Sequence, residues 1–425
     1  LINLKFNKFS PFEKNFYTLT IGTTLAQAIP FAFYPILSRI YNPEEFGFFY
    51  GVISIVPILT ILSSGMFEHA ILVAENDRES NAIIKLILIR SIILLVLFSI
   101  LGYAFITICD LFDDFKINPY WIIITCSISF FTIIYNVFNE WSIRIIQFKN
   151  LALNKIYNSS FTSFSKILFK YCSFLNNGLI IGEFIGKFLT ALICLISMLK
   201  FNKSLFGSIN KQITIYVYKK YKKFPKFMMP DQLINTIGGS AHVYIIGIYF
   251  TASELGFLSM ALSLLTVPVT VISSSLKDVF RQKANELYIE SGSCRELYVK
   301  LLKPIFAIGL ILFTILYFSF PIAFPFFLGE KWLAAGNYAQ ILTPMFFLNF
   351  VSMSLGGVLI ISNQIKVSLY WQVFNVATTV ISLLIGSIYF NDIFYTLIFF
   401  TIAKSISYII YILLSYSFSK KKIEA

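Results

Sequence analysis

Charge is scarce in this sequence: 13% of its 425 residues are Asp, Glu, Lys or Arg. Soluble chains draw about a quarter of their residues from those four types, so a water-facing globular surface is excluded. Histidine is scarcer still, with only His69 and His242. The five cysteines are odd in number and no CxxC or Cys/His spacing joins them, which supports neither a disulfide framework nor a metal site. The Walker A pattern is missing, so this chain does not hydrolyse ATP. No nucleophile elbow or zinc-protease spacing occurs. No cleavable signal is expected, because the first apolar run follows a lysine-bearing tail and continues too long. The sequence therefore assigns no catalytic residue, no cofactor and no metal ligand.

Apolar residues are what the chain has instead. Hydrophobic types make up 57% of it, and the mean hydropathy is +0.77. A bilayer core about 30 Å thick takes roughly 20 apolar residues per helix. Twelve such runs are expected: Phe16–Ile40, Phe46–Met66, Ala82–Ile108, Pro119–Phe138, Ile156–Leu175, Gly178–Leu199, Met229–Phe250, Leu255–Ser275, Pro304–Leu328, Ala339–Ser362, Ser368–Phe390 and Ile393–Phe418.

Basic residues orient these runs. With both termini cytoplasmic, inside segments hold 26 of the 34 Lys and Arg, and outside loops hold three, Arg39, Lys116 and Lys331. This is a positive-inside bias. It accounts for the net charge of +13 without nucleic acid. The expected layout is a cytoplasmic tail (1–15), an N-lobe (16–199), a basic cytoplasmic linker (200–228), a C-lobe (229–418) and a cytoplasmic tail (419–425). Ile40–Phe48 and Ile248–Phe257 resemble each other at an offset of about 209 residues, each joining the first two helices of a six-span half. Six is even, so the repeat is parallel. The fold class expected is an all-α polytopic membrane protein of about twelve helices. They form two six-helix lobes, related by a parallel pseudo-two-fold repeat around a central cavity.

Polar stripes mark the candidate site. In the fifth span Ser159, Thr162, Ser163, Lys166, Lys170 and Ser173 fall within about 60° of one direction at 100° per residue. In the sixth, Glu183, Gly186, Lys187, Thr190, Cys194 and Ser197 share a face. Glu183 precedes Lys187 by four, the favourable order for a helical ion pair. The seventh offers Asp231, Asn235, Gly238 and His242, and the twelfth Thr401, Lys404 and Tyr408. Counted from span ends, Lys166, Lys187, His242 and Lys404 fall near mid-bilayer, with Arg90 nearer the inner end of the third span. For any one Ser, Thr or Gly the blander assignment is helix–helix packing. Lysine packs poorly at that depth and more often faces a cavity. A cationic cavity suits phosphate or pyrophosphate, with lysine as a point charge. The substrate-binding candidates are Lys166, Lys170, Lys187, Lys404, Arg90 and His242, and the ion-coupling candidates Glu183 and Asp231.

Three segments carry a family resemblance: Pro35–Tyr50, Ser253–Phe257 and Phe327–Tyr338. The first, with Arg39, Pro43 and Gly47, is similar to the first hairpin of the polysaccharide-repeat (O-antigen) flippases of the multidrug/oligosaccharidyl-lipid/polysaccharide exporter superfamily. The resemblance implies a non-enzymatic transporter of the bacterial inner membrane. It implies an undecaprenyl-pyrophosphate-linked oligosaccharide moved to the periplasmic leaflet by alternating access, coupled to a proton or sodium gradient. Membrane lipids and the polysaccharide polymerase machinery would be its partners. Two other functions fit the composition. A multidrug antiporter would be dominated by intramembrane carboxylates, and a polymerase or ligase would carry a long outside loop with paired basic residues. Neither feature is present.

Overall fold

The computed structural model describes residues 11–109, 120–171, 177–201 and 211–420. Among these it places twelve long helices. They are α1 (Pro11–Ile40), α2 (Pro43–Ser64), α3 (Asp77–Cys109), α4 (Tyr120–Arg144), α5 (Phe148–Leu168) and α6 (Gly178–Phe201). The second half follows with α7 (Met229–Tyr249), α8 (Ala252–Ser291), α9 (Arg295–Leu328), α10 (Leu333–Ser354), α11 (Ile365–Ile385) and α12 (Ile393–Phe418). Ten of the twelve are long and apolar enough to cross a membrane. The two that fall short are α5 and α7, because lysine and asparagine in one and Asp231, Asn235 and His242 in the other displace apolar residues.

Helix bounds differ from the sequence reading where tertiary packing overrides hydropathy. The structure has α5 at Phe148–Leu168, seven or eight residues earlier than expected. Its polar N-terminal half is helical because it packs against α1: a Cβ on Gly22 would meet the Ala152 side chain, and Lys155 Nζ donates to Thr23 Oγ1 at 3.0 Å. The eighth helix runs on to Ser291, well past its apolar part. Its charged extension carries a Lys283–Glu286 ion pair at 2.9 Å and ends at Gly292, with φ of 67°. The tenth stops at Ser354, and the chain turns at Gly357, whose φ of 105° suits a residue without a Cβ.

The chain divides into two compact units. One comprises Leu1–Ile40 with Val52–Ile237, and the other Tyr41–Gly51 with Gly238–Ala425. In the first, α5 and α6 approach through glycine. Cβ atoms on Gly182 and Gly186 would collide with the backbone of Lys166 and Thr162, at 2.5 Å in each case. Small residues permit that backbone contact. A short helix, Lys211–Lys220, lies in the basic segment expected to be a linker. Its Lys220 binds Glu75 at 2.7 Å and Glu79 at 3.0 Å.

The second unit gathers Tyr41–Tyr50 of the first segment that carries the family resemblance with the other two, Ser253–Phe257 and Phe327–Tyr338. Trp332 is fully buried, with its ring 5.1 Å from Phe46 and 5.9 Å from Phe257 in edge-on contact. Lys331 Nζ donates to the Tyr41 carbonyl at 2.6 Å. The two repeat-related helix starts meet here. Gly47 on α2 abuts the Ala252 carbonyl, and Gly256 on α8 abuts the Pro43 carbonyl. Both relations are reciprocal, with 209 residues between each glycine and its counterpart. The caps repeat as well: Asn42 N donates to Glu45 at 2.8 Å, and Thr251 N to Glu254 at 2.8 Å. Such caps satisfy backbone donors at a helix start. The internal repeat is therefore present in three dimensions at these two helix starts.

Candidate functional site

In the first unit the polar faces of α5 and α6 are turned towards each other. Asn177 caps α6 by accepting from Leu179 N at 3.1 Å, and Gly182 and Gly186 bring α5 to backbone contact. Thr162, Ser163, Thr190 and Cys194 are buried in that seam. Thr162 and Thr190 return their hydroxyls to Asn158 and Gly186 carbonyls on their own helices, and Cys194 Sγ lies 3.3 Å from Asn154 Oδ1. These small polar groups pack helices together. Stripe position Ser173 lies outside the described residues.

The charges in the seam are arranged differently from the sequence reading. Glu183 pairs with Lys166 across the helix interface, at 2.7 Å, with both side chains largely buried. Lys187, the expected in-helix partner, holds its ammonium 5.5 Å from the centre of the Tyr135 ring on α4. A ring face attracts a cation through its quadrupole without neutralising it. Lys166 stands two residues before the end of α5 rather than near its middle. Lys170 falls in the 3₁₀ turn Phe169–Tyr171 that follows. Arg90 is engaged elsewhere: its Nη2 donates to the Leu62 carbonyl at 3.0 Å near the end of α2, over the Phe67 ring. Asp231 is exposed in the first turn of α7.

In the second unit Lys404 is the organising group. Its Nζ donates to Asn375 Oδ1 on α11 at 2.9 Å, and Ser407 donates to the same oxygen at 3.0 Å. The Tyr408 ring lies 5.6 Å away. His242 on α7 hydrogen-bonds to the Gly239 backbone and lies within electrostatic range of Lys404. Trp371 fixes the neighbouring turn by donating to the Ser407 carbonyl at 3.0 Å. Asn375 is the residue the sequence reading missed, since one asparagine in an apolar run has no periodic companion. The structure thus brings Lys166, Glu183 and Lys187 together in one unit, and His242 with Lys404 in the other. No group of three or more His, Cys, Asp or Glu able to hold a metal occurs among the described residues.

Known structures share this arrangement of long helices. The lipid II flippase MurJ, in an inward closed conformation, superposes with a TM-score of 0.71 at 13% identity, over 94% of this chain and 87% of that one. An inward-facing multidrug resistance MATE family transporter of the MOP superfamily superposes with a TM-score of 0.63 at 16% identity, over 96% of each chain. The fold is that of multi-pass membrane transporters. The chain belongs to the polysaccharide biosynthesis protein family, whose model matches residues 36–337. The teichuronic acid biosynthesis protein TuaB of Bacillus subtilis (strain 168) is 27% identical over 158 residues, 36% of this chain. The chain spans about a third, 32%, of that relative's length. The membership expected from the Pro35–Tyr50 hairpin is borne out.

Proposed function

We propose that this protein is a flippase, not an enzyme. It carries an undecaprenyl-pyrophosphate-linked oligosaccharide, a surface-polysaccharide repeat unit, from the cytoplasmic to the outer leaflet by alternating access. It resides in the bacterial inner membrane with both termini in the cytoplasm, and its transport is ion-coupled. The observation that carries this reading is chemical. Each unit keeps a lysine on a membrane-embedded helix that forms no salt bridge among the described residues. Lys187 lies over the Tyr135 ring, within electrostatic range of a Glu183 that is salt-bridged to Lys166, and Lys404 binds Asn375. A cation maintained at that depth in excess of the carboxylates around it is suited to compensate a phosphate, whose desolvation otherwise costs several kcal/mol. A carrier of cationic drugs would have the opposite need. Lys166 and Lys170 serve the same anion more weakly, the first because Glu183 already offsets it.

Cells lacking the protein should accumulate lipid-linked repeat units on the cytoplasmic leaflet. Lys187→Leu and Lys404→Leu, each expressed at the wild-type level, should restore little surface polysaccharide. A hydrogen bond to a charged group is worth about 1.5–3 kcal/mol, so each variant should lose roughly ten- to hundred-fold in transport rate. Full surface polysaccharide from both leucine variants would refute the phosphate-compensating role.

A further inference from the structure

The loop after α2 does not behave as an exposed connection. Gly65 and Met66 adopt φ values of 63° and 59° and turn the chain back into the first unit, so that the short 3₁₀ segment Phe67–His69 is carried inward. Phe67 is fully buried and Glu68 is 6% exposed. Glu68 Oε1 accepts from Ser64 Oγ at 3.2 Å, while Oε2 is buried with no hydrogen-bond partner. Beside it, His69 Nδ1 lies 3.1 Å from Glu140 Oε1 on α4.

These groups line a cavity of about 360 Å³ whose walls include Thr60, Asn136, Asn139 and Gln232. Asn139 Oδ1 and Glu140 Oε2 are also buried without partners. Three of the unpartnered oxygens on this cavity can only accept hydrogen bonds while the carboxyls are ionised. A cavity with that lining calls for a donor. The charged and titratable groups facing it are few. From α3 comes Arg90, whose Nη2 is bound to the Leu62 carbonyl over the Phe67 ring. Its Nη1 is buried without a hydrogen-bond partner, and its charge lies within electrostatic range of Glu68. From α4 comes Arg144, one turn beyond Glu140, bound to the Ile71 and Ala74 carbonyls. From the short helix Lys211–Lys220 come Tyr218, packed on Phe67, and Lys220, held by Glu75 and Glu79. α2 brings no charged residue to the cavity, and α7 brings Asp231, next to Gln232 and exposed. No lysine or arginine salt bridge reaches Glu68 or Glu140 among the described residues.

We propose that this cavity is a proton-binding site, in which Glu68 holds the proton and the adjoining His69–Glu140 pair exchanges it with water. The carboxylate takes one proton from water in the cavity and returns it there, with no other bond made or broken. Burial drives the Glu68 carboxyl above the ordinary glutamate range and the nearby Glu140 adds to the rise, against hydrogen bonds from the backbone and Ser64 and the charge of His69. The hydrogen bond to Glu140 lifts the His69 imidazole in the same direction, opposed by its own burial. Both groups therefore hold protons more tightly folded than unfolded. Their contribution to stability is complete below the unfolded values, about 4.3 for glutamate and 6.5 for histidine, and is lost as pH rises through the folded ones. That the proton is the ion coupled to transport rests on the flippase reading; that it binds does not.

The test is an infrared titration of the full-length protein in lipid nanodiscs, without substrate. The expected result is a protonated-carboxyl stretch that disappears at a pH above the ordinary glutamate range, is lost in Glu68→Gln and persists in Glu183→Gln. His69→Gln, which keeps Glu68, should move its midpoint upward by removing a neighbouring positive charge. Glu68→Gln should also flatten the fall of thermal stability from mildly acidic to neutral pH. No such band in the wild type, a band unchanged in Glu68→Gln, or a midpoint that sodium displaces at constant ionic strength would overturn the proposal. In proteoliposomes Glu68→Gln should still move lipid-linked oligosaccharide but lose its acceleration by a proton gradient. A variant that remains gradient-driven would show that the site binds protons without coupling them.

Discussion

Exchange of Gly47 for leucine should leave no folded protein in the membrane. At the α2–α8 crossing a Cβ on Gly47 would fall far inside van der Waals contact distance of the Ala252 carbonyl oxygen, and one on Gly256 far inside that of the Pro43 carbonyl oxygen. Overpacking a core with flexible side chains costs about 1–3 kcal/mol. Here the obstructing atoms are backbone, and they cannot retreat without separating two helix starts held by their own caps. Trp332, Phe46 and Phe257 would be separated as well, and Trp332 is fully buried. Against a total stability of about 5–15 kcal/mol, that loss is decisive. Gly256→Leu should fail in the same way, because the contact is reciprocal. Gly239, with open space around its Cα, is the control: Gly239→Ala should accumulate normally. Membrane protein level and a monodisperse detergent profile are the readouts. Wild-type behaviour of Gly47→Leu would mean that the two helix starts are not in contact.

The second large effect concerns the α5–α6 ion pair. Lys166→Glu places two carboxylates where a 2.7 Å salt bridge stands. Breaking a buried pair costs about 3–5 kcal/mol, because an uncompensated charge remains. Lys166→Leu should harm almost as much, since it strands Glu183; taken alone it cannot separate a structural lysine from a substrate-binding one. The double variant Lys166→Leu/Glu183→Leu can. It removes both charges, and replacing a buried pair by apolar residues is often neutral for stability. We expect it to restore protein level and most of the surface polysaccharide, leaving Lys187 as the working cation of this unit. A double variant that is folded but wholly inactive would place Lys166 among the groups transport requires.

Much of the fold was legible in the sequence because a membrane helix announces itself by length and apolarity. Even the two weakest runs were found, since α5 and α7 keep their polar residues at helical spacing. The Pro35–Tyr50 hairpin was legible for another reason. Gly47 and Gly256 are required by a backbone approach, and the Glu two residues before each caps a helix, so the same short pattern had to appear twice. What stayed hidden depends on crossing geometry. The rule for residues four apart favours Glu183 with Lys187, yet Gly182 admits the Lys166 backbone so closely that the interhelical pair forms instead. Asn375 acquires its role only because α11 lies beside Lys404. Glu68 looks like an ordinary loop acid until the left-handed turn at Gly65 and Met66 folds it inward.

The decisive measurement is leaflet exchange by the purified protein. Liposomes containing it and a fluorescent undecaprenyl-pyrophosphate oligosaccharide are exposed to a reagent that quenches only outward-facing label. The flippase account predicts that protected label becomes accessible in proportion to protein, that Lys187→Leu and Lys404→Leu slow this strongly, and that Gly239→Ala does not. Label that stays in its original leaflet, while the same liposomes transport a lipophilic cation, would contradict it.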